Sequence, residues 1–484
     1  MLNINATVRL LFWPVVWIAS IQMVFALLAL IVFKDKTVTQ FVYSGLLSFV
    51  LAAIIYVRYH KAKLTKLFYR EALAFASFTW FVVGVLGAFP ILFITDAGFT
   101  DAVFESISAM TTTGATILVG LDNMPKSFLL YRQFLQWMGG LGIVIFVVAI
   151  LPMLNVGGMR LLRAETPGPI KNDKLAPRVS STTRYLWLVY VVLTLLCAAC
   201  YWLAGMSGFD ALAHSFTTVS TGGFSPYDGS MGHFDNHWIL AIADVFMLLG
   251  AISFALHYNN FTRRALRGYW QDEETRWMLI SVAAISFILF LFVFNHGVHD
   301  SVSESISQAL FHVISFMTST GYGADDLSAW PAATAGLLIM ASYMGGCAGS
   351  TAGGSKFIRN ILTVRILRQQ MMQAIHPQAI LTVRYQGKVV KNDVVLAVMG
   401  FMLLVAISSL VLTVLLAMTG LDFYSAFTAV VACINVLGPG FGEVSSNFIP
   451  VSDTGTWILS FAMILGRLEY FTVLTLLLPK FWRD

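Results

Sequence analysis

The chain has 484 residues, of which 58% are hydrophobic and only 11% are charged, and its formal net charge is +5. Soluble globular domains carry about 25% charged residues, so the composition excludes a soluble protein and predicts an integral membrane protein. The four cysteines give no disulfide framework. Cys197 and Cys200 lie in a long apolar run, where buried cysteines are far commoner than a redox pair.

Two apolar segments, 10–33 and 40–57, precede the rest of the chain. Each is long enough to cross a hydrocarbon core of about 30 Å as a helix. No small-residue cleavage site follows the first segment, so we interpret it as a retained membrane helix and not as a signal peptide. Residues 1–65 therefore form a predicted two-helix extension.

Four units of one pattern follow, each with a long apolar helix, a short re-entrant stretch, a glycine turn and a second long apolar helix. The re-entrant stretches are too short to cross the bilayer, and non-helical backbone at membrane depth needs a cavity or surrounding protein. The pattern predicts an all-helical membrane protein with ten spans, in which four pseudo-symmetric repeats surround a central pore. The predicted repeats cover residues 66–165, 166–268, 269–376 and 377–484. Their long helices are predicted at residues 71–95, 128–154, 185–206, 237–257, 276–295, 332–371, 393–418 and 454–479.

The glycine turn of the third unit, in SFMTSTGYGA at 315–324, has the composition of a potassium selectivity filter. In such filters, backbone carbonyls line a narrow path and replace the ion's hydration shell. One match is weak evidence, but similar turns recur in the other units, with their glycines 108, 99 and 117 residues apart. We predict one ion-binding filter made of Thr112, Thr113 and Gly114; Ser220, Thr221 and Gly222; Ser319, Thr320 and Gly321; and Val436, Leu437 and Gly438.

Most of the 30 Lys and Arg residues lie in the connections between units, which places these connections and both termini in the cytoplasm. The glycine turns then open on the opposite face, whose loops are acidic. Two interpretations of this acidity stay open, ordinary solvated loops or a mouth that concentrates cations. The acids are Asp96, Asp101, Asp122, Asp210, Asp228, Asp235, Asp300, Asp325, Asp326, Asp422, Glu443 and Asp453.

The four repeats, the two-helix extension and the fourth turn NVLGPGFG together resemble the Trk/Ktr/HKT potassium transporter superfamily, over essentially the whole chain. In some members the first glycine of the quartet is Ser, which favours sodium; four glycines here imply potassium. The resemblance also implies a bacterial inner-membrane protein, a homodimer of pore subunits and a TrkA-like cytoplasmic nucleotide-binding ring. That ring would dock on the basic connections 155–184 and 361–391. Potassium is the transported ion, and we expect no organic cofactor and no nucleic-acid partner; membrane lipid is the other expected contact.

A glycine-rich segment, YMGGCAGSTAGGSK at 343–356, interrupts the second helix of the third unit. Each glycine costs a helix about 1 kcal/mol relative to Ala, although glycines four residues apart also suit close helix packing. A phosphate loop is excluded because Ser355 intervenes before Lys356 and no strand precedes the segment. The resemblance implies an intramembrane gate below the filter, built from Gly345, Gly346, Gly349, Gly353, Gly354 and Lys356.

Arg467 is predicted at the middle of the last span. A guanidinium at that depth costs at least about 2.5 kcal/mol, so it must face water or a partner. One interpretation is a structural ion pair with Glu469 or Asp244. The other places Arg467 beside the pore, where it holds the glycine-rich loop through its carbonyls and raises the barrier for a cation.

These features predict potassium uptake through a channel-like pore, gated by the intramembrane loop and a cytoplasmic partner. The alternative is a secondary transporter, a symporter that couples potassium entry to protons or sodium, for which Asp244, Arg467 and Glu469 are candidate groups. His214 and His312, on the re-entrant helices, are interpreted as polar ties to neighbouring elements and not as proton relays. No nucleophile–base pair or dinucleotide turn occurs in a suitable context, so we do not expect an enzyme.

Overall fold

A computed structural model describes residues 4–62, 69–142, 179–264 and 266–483. The N-terminal extension and first unit form α1 (Ile4–Leu28, continued by a π-helical turn Ala29–Phe33), α2 (Val38–Tyr59), α3 (Tyr69–Ile94), α4 (Phe99–Thr111) and α5 (Lys126–Leu141). The second unit forms α6 (Val179–Leu203), α7 (Gly208–Val219), α8 (His237–Ala251), α9 (Phe254–Arg263) and α10 (Arg267–Gln271).

The third and fourth units repeat this order. Their helices are α11 (Glu273–Asn295), α12 (Val302–Met317), α13 (Ala332–Met344), α14 (Phe357–Ile375), α15 (Asn392–Ala417), α16 (Phe423–Ile434), α17 (Asp453–Leu468), α18 (Tyr470–Leu474) and α19 (Pro479–Arg483). A short antiparallel hairpin, β1 (Arg384–Tyr385) and β2 (Lys388–Val389), pairs Arg384 with Val389. Apart from this hairpin and short 3₁₀ turns, the regular structure of the described residues is helical, as the sequence predicts.

Three of the predicted long helices are broken. α8 and α9 meet at 95°, and α17 meets the α18 segment at 118°, so the continuous helices expected at 237–257 and 454–479 are wrong. The second break is at Glu469, whose φ of 64° lies outside the helical region. α13 and α14 are separated by the glycine-rich segment.

Six helices in the described part of the chain are long and apolar enough to cross a membrane, or eight if each bent pair counts as one span. Of the other two expected spans, α5 is described only to residue 142, and α13 has 13 residues. The rest of the predicted helix 128–154 lies outside the described residues. So does most of the basic connection 155–184, with Arg160, Arg163, Lys171, Lys174 and Arg178.

The N-terminal extension is fastened to the first unit by a buried polar side chain. Gln22 on α1 donates through Nε2 to the carbonyl oxygen of Leu86 on α3 (2.8 Å), and its Oε1 accepts from Ser48 on α2 (2.9 Å). An unsatisfied amide is costly at such a site, so this residue favours one packing of the three helices. Around it, aromatic and aliphatic side chains of α1, α2, α3 and α5 form a continuous core.

The four re-entrant helices, α4, α7, α12 and α16, have 12 to 16 residues each. Side chains of Ser207, Ser301 and Asp422 accept hydrogen bonds from the first turns of α7, α12 and α16, which explains where these helices begin. Nearly all residues in the second half of each helix are buried. The second half of each short helix is therefore enclosed by protein, as its depth in the membrane requires.

Candidate ion filter and intramembrane loop

The four glycine turns share one backbone geometry. Within two residues of its end, each re-entrant helix is followed by a non-glycine residue with positive φ: Thr112 (60°), Thr221 (53°), Ser319 (55°) and Val436 (59°). Two residues later comes a glycine with positive φ: Gly114 (83°), Gly223 (78°), Gly321 (77°) and Gly438 (101°). The left-handed conformation costs a non-glycine residue about 1–2 kcal/mol, so its recurrence at four equivalent places marks one structural motif.

In the second unit the turn lies one residue later than predicted. The middle residue of each turn donates its backbone N–H to the carbonyl five residues earlier, at 2.8 Å in all four: Thr113 to Ser108, Gly222 to Thr217, Thr320 to Ser315 and Leu437 to Ala432. The triplet equivalent to Thr112–Gly114 is therefore Thr221–Gly222–Gly223, and Ser220 is the last residue before it. Two consecutive glycines hid this register, because either can adopt positive φ.

The turns contact one another in cyclic order. A Cβ atom built on Gly114 would lie 2.2 Å from the carbonyl oxygen of Gly222, one on Gly223 1.9 Å from that of Thr320, and one on Gly321 1.8 Å from that of Leu437. A Cβ atom on Gly438 would lie 2.8 Å from the carbonyl oxygen of Thr113, which closes a ring of four units. Any side chain at these glycines would displace backbone. Backbone carbonyls in a ring are the ligands that potassium filters use.

Two side chains outside the predicted set hold these turns. Gln136 on α5 donates through Nε2 to the carbonyl oxygen of Gly222 (2.7 Å) and accepts through Oε1 from the N–H of Phe224 (3.1 Å). The hydroxyl of Tyr322, in the third turn, lies 2.5 Å from Thr217 Oγ1 and 3.2 Å from the carbonyl oxygen of His214. Gln136 and Tyr322 are fully buried. The turns of the second and third units are thus fixed to helices of the preceding units.

The glycine-rich segment is not helical, so the helix-packing interpretation is wrong. Its backbone lies against the ends of the re-entrant helices: Gly353 N–H donates to Ser319 Oγ (2.5 Å), and Gly354 N–H donates to the carbonyl of Asn435 (3.1 Å). Thr351 Oγ1 donates to the carbonyl oxygens of Val219 (3.1 Å) and Gly250 (2.9 Å). A Cβ atom on Gly353 would lie 2.3 Å from the Asn435 carbonyl oxygen, which explains why glycine occupies this position.

The other residues predicted for the loop also have conformations or contacts that suit a non-helical segment. Gly345, Gly349 and Gly354 have φ values of 69°, 78° and 72°, a conformation that glycine adopts without strain. A Cβ atom on Gly346 would lie 3.0 Å from the carbonyl oxygen of Ala251. Lys356 is buried, and its ammonium donates to the carbonyl oxygen of Ala352 within the loop.

Arg467 lies in the last turn of α17, directly before the break, and not at the middle of a continuous span. Its Nη2 donates to the carbonyl oxygens of Gly139 (2.6 Å) and Gly140 (2.8 Å) at the end of α5. Its Nη1 donates to the carbonyl oxygen of Thr351 in the loop (2.9 Å) and to Thr112 Oγ1 in the first turn (3.1 Å). One guanidinium therefore joins the loop, the first turn and α5. Glu469 forms its ion pair with Arg359 (2.7 Å).

One carboxylate that the sequence did not single out holds the loop at Ala348 and the first turn of the helix that follows it. Oε1 of Glu274, at the start of α11, accepts the N–H of Ala348 (2.7 Å) and the N–H of Ile358 (3.0 Å). Its neighbour Glu273 pairs with Arg365 on α14 and accepts the N–H of Gln386 in the hairpin (2.9 Å). The loop and the hairpin are therefore bonded to the same acidic segment.

Several acids of the opposite face have structural partners. Asp228 accepts the N–H groups of Gly120 (2.8 Å) and Leu121 (3.1 Å). Hydrogen bonds from the side chain and backbone of Ser328 hold the pKa of Asp326 below its ordinary value, and those from Ser425 do the same for Asp422. Both carboxylates are exposed and charged at neutral pH, so the two interpretations of the acidic loops are compatible. Among the described residues, no group of three His, Cys, Asp or Glu side chains could hold a metal ion.

A family model described as TrkH, cation transport protein, matches residues 37–483. The chain belongs to this family. A TrkH named as a Trk system potassium uptake protein, from Vibrio parahaemolyticus, is 41% identical over 471 residues, which cover 96% of each chain. TrkG of Escherichia coli K12, with the same description, is 35% identical over 97% of each chain. The crystal structure of the potassium transporter TrkH from Vibrio parahaemolyticus superposes with a TM-score of 0.88 at 38% identity, covering 99% of this chain and 100% of that one.

TrkH-family membership confirms the superfamily resemblance and the prediction of a transport protein and not an enzyme. The site adds Gly223, Gln136 and Glu274 to the residues found from sequence. Neither Gln136 nor Glu274 stands out in the sequence, because α5 also contains Arg132 and Gln133 and Glu274 lies beside Glu273. Their partners lie 74 to 88 residues away in the chain.

Proposed function

We propose that this chain is the pore-forming subunit of a potassium uptake system and conducts K⁺ through a channel-like filter formed by the four turns. The observation that carries the proposal is the closed ring in which each unit's glycine contacts a carbonyl of another unit. Potassium is supported by the names of the relatives and by glycine at all four ring positions, Gly114, Gly223, Gly321 and Gly438. A filter with a single Gly-Tyr-Gly turn has few dehydrated sites, so rubidium and caesium should also pass.

The proposed architecture has ten spans in four repeats, 66–165, 166–268, 269–376 and 377–484, after the two-helix extension at 1–65. The matched order of long helix, re-entrant helix and turn in every unit supports it. The basic connections favour cytoplasmic termini and an inner-membrane location. K⁺ would then enter down its electrochemical gradient, driven by about 2.3 kcal/mol per charge for each 100 mV of membrane potential.

The proposed gate is the loop 345–356 together with Arg467. The loop bonds to residues at the ends of the second, third and fourth re-entrant helices, and Arg467 bonds it to the first turn. A half-buried guanidinium at this place opposes the passage of a cation through electrostatic repulsion, which is strengthened where the surroundings have a lower dielectric than water. Opening requires the loop to leave these partners.

The gate would be controlled from the cytoplasm. The subunit would form a homodimer and bind a nucleotide-binding regulatory ring at its basic cytoplasmic segments. In the described residues, the hairpin and α14 carry Arg365, Arg368, Arg384 and Lys388. The bonds of the hairpin and α14 to Glu273 connect this surface to its neighbour Glu274, which bonds the loop at Ala348 and α14 at Ile358.

The test is cation flux into liposomes that contain purified protein, with K⁺ compared with Na⁺. Potassium flux that needs no proton or sodium gradient, with selectivity lost in Gly321→Ser, is the expected result. Gly336→Ser is the matched control, because Gly336 lies on the exposed face of α13 with no atom within 4 Å of a built Cβ. Unchanged selectivity in Gly321→Ser would overturn the filter assignment.

A coupled transporter is the second candidate, and Asp244 is the observation that favours it. This acid lies in the middle of α8, and its buried Oδ1 has no hydrogen-bond partner among the described residues. Intramembrane acids often carry protons in transporters. K⁺ uptake that stops without a proton gradient, and that Asp244→Asn makes independent of the gradient, would establish this alternative. Flux that Asp244→Asn leaves unchanged would exclude it.

A further inference from the structure

We propose that four side chains on the re-entrant helices are positioning residues for ion selectivity, and this rests on the function proposed above. They are Glu105, His214, His312 and Thr428. The first three occupy one position, seven residues before the positive-φ residue of their turns, and Thr428 lies eight residues before Val436. Each bonds the segment that follows the turn of its own unit. The type of residue differs among the units, but in each unit the side chain connects the re-entrant helix to the segment that follows the turn.

In the first unit the connection is ionic. Oε2 of Glu105 accepts the N–H of Ile117 (3.0 Å), and both carboxylate oxygens accept from Thr116 Oγ1 (2.9 and 3.0 Å). Arg132 on α5 donates through Nε to Oε1 (3.0 Å), and its guanidinium lies 4.2 Å from the centre of the Phe224 ring. Glu105 and Arg132 are fully buried. The buried carboxylate is thus fully paired, as its depth requires.

In the second and third units the connection is a neutral histidine. Nδ1 of His214 and Nδ1 of His312 each lie 2.9 Å from a backbone carbonyl oxygen, of Asp210 and Gln308 respectively. Because a carbonyl only accepts, Nδ1 must carry the proton, which leaves Nε2 as an acceptor in the neutral ring.

Nε2 of each histidine faces a group that can donate to it. His312 Nε2 lies 3.4 Å from the nitrogen of Ala324, whose N–H can only donate, and His214 Nε2 lies 3.1 Å from Ser225 Oγ. The rings contact neighbouring aromatic residues, His312 with Trp330 at 5.0 Å between centres and His214 with Phe234 at 5.2 Å. Both rings are therefore fixed in tautomer and in orientation.

In the fourth unit a hydroxyl makes the same connection. Thr428 Oγ1 donates to the carbonyl oxygen of Phe441 (2.8 Å) and accepts the N–H of the same residue (3.1 Å). The segment after the fourth turn is thus bonded to its helix twice. Thr428 is buried, like the other three positioning residues.

These bonds fix the far end of each turn. The near end is already fixed by the bond from the middle residue to the carbonyl five residues earlier. With both ends attached to one helix, the turn cannot widen or rotate without breaking a buried hydrogen bond. Selectivity for K⁺ over Na⁺ depends on the number and spacing of the carbonyls, so loss of one connection should lower selectivity more than it lowers stability.

His312 allows the sharpest test, because substitution with Asn or with Gln distinguishes the roles of its two ring nitrogens. The Gln amide reaches the place of Nε2 and can accept the Ala324 N–H, whereas the Asn amide reaches only the place of Nδ1. Both variants lose the ring contact with Trp330, so this loss is common to them. His296→Asn is the control, because exposed His296 makes the same Nδ1 bond to a carbonyl four residues earlier, that of Phe292 (2.8 Å).

The measurements are the ratio of K⁺ to Na⁺ flux in liposomes and the melting temperature of the same preparations. We expect His312→Asn to lower the ratio by about tenfold, which corresponds to about 1.4 kcal/mol, while His312→Gln and His296→Asn stay within about twofold. Equal ratios in His312→Asn and His312→Gln would overturn the proposal, whether both fall or both stay at the wild-type value. A lower melting temperature in His312→Asn with an unchanged ratio would indicate a structural role alone.

Gly321→Ser, measured in the same series, separates this proposal from the function on which it rests. If Gly321→Ser lowers the ratio and His312→Asn does not, the filter assignment stands and the positioning role fails. If neither variant changes the ratio, the filter assignment itself fails.

Discussion

Oε1 of Glu274 lies 2.7 Å from the backbone nitrogen of Ala348, and the same oxygen accepts the N–H of Ile358 at 3.0 Å. These two N–H groups stand ten residues apart, one inside the glycine-rich loop and one in the first turn of α14. A single buried carboxylate thus closes the loop on itself. Because Glu274 belongs to α11, it also anchors the closed loop to the first helix of the third unit.

Replacing Glu274 with Ala should make the pore leak. The change leaves two N–H groups without their acceptor, at about 1–3 kcal/mol each, and most of this cost falls on the closed loop. If about 1.4 kcal/mol of closed-state stability is lost, K⁺ flux without any regulator rises about tenfold. Asp393→Ala is the control, since Asp393 is exposed in the first turn of α15 and bonds its own neighbour Val394. Equal flux in the two variants would contradict the prediction.

Arg467 should limit the rate through its charge and through its bonds, and two substitutions separate these effects. Arg467→Gln removes the charge and should raise the K⁺ flux of correctly folded protein. Arg467→Lys keeps the charge but cannot bond four acceptors on three segments at once, so its flux should lie between that of Gln and wild type. The measurement is flux in liposomes, with Arg368→Gln on the exposed face of α14 as control. An unchanged or lower rate in Arg467→Gln would contradict a role in the gate.

Gly139 should be required for folding. A Cβ atom at this position of α5 would lie 1.8 Å from the carbonyl oxygen of Met110, a backbone atom of the first re-entrant helix. Gly139→Ala should therefore abolish monodisperse protein after detergent extraction. Gly336→Ala on α13, where a Cβ has free space, should be neutral or stabilise the helix by up to about 1 kcal/mol. Size-exclusion profiles and melting temperatures of the two variants provide the comparison.

The four turns could be located from sequence because their chemistry is local. Glycines at nearly equal spacing, preceded by small residues in three of the four units, mark the places where a helix stops and the backbone turns left-handed. The register of the second turn could not be fixed, since Gly222 and Gly223 are both able to adopt positive φ. Only the hydrogen bond from Gly222 to Thr217 decides between them.

The two helix breaks, in contrast to the turns, could not be located from the sequence. α17 ends at Leu468 and α8 ends at Ala251. Gly466 and Gly250 lie in the last turns of these helices and are themselves helical, so neither marks the position of the break. What bends these helices is tertiary: the N–H of Phe254 bonds the carbonyl of Gly349 in the loop, and Glu469 pairs with Arg359. Partners more than 90 residues away leave no local pattern, and so the sequence predicted continuous spans.

The Arg359–Glu469 ion pair should couple two broken helices. Nη2 of Arg359, in the first turn of α14, lies 2.7 Å from Oε1 of Glu469, and its guanidinium lies 3.7 Å from the centre of the Phe401 ring. Solvent screens this pair only in part, because the Arg359 side chain is 7% exposed and the Glu469 side chain is 27% exposed. A double-mutant cycle with Arg359→Gln and Glu469→Gln should give an interaction energy of about 1–2 kcal/mol, within the range for residues in direct contact.

The cycle is measured by thermal unfolding in detergent, with flux recorded for each variant. The same cycle with Arg359→Gln and Asp393→Asn is the control and should be additive within about 0.5 kcal/mol. Because Glu469 follows Arg467 by two residues, breaking the pair frees the bend that positions Arg467, and flux should rise in both single variants. Additive stabilities together with unchanged flux would show that the bend is held by packing alone, through the contact of Tyr470 with Phe401.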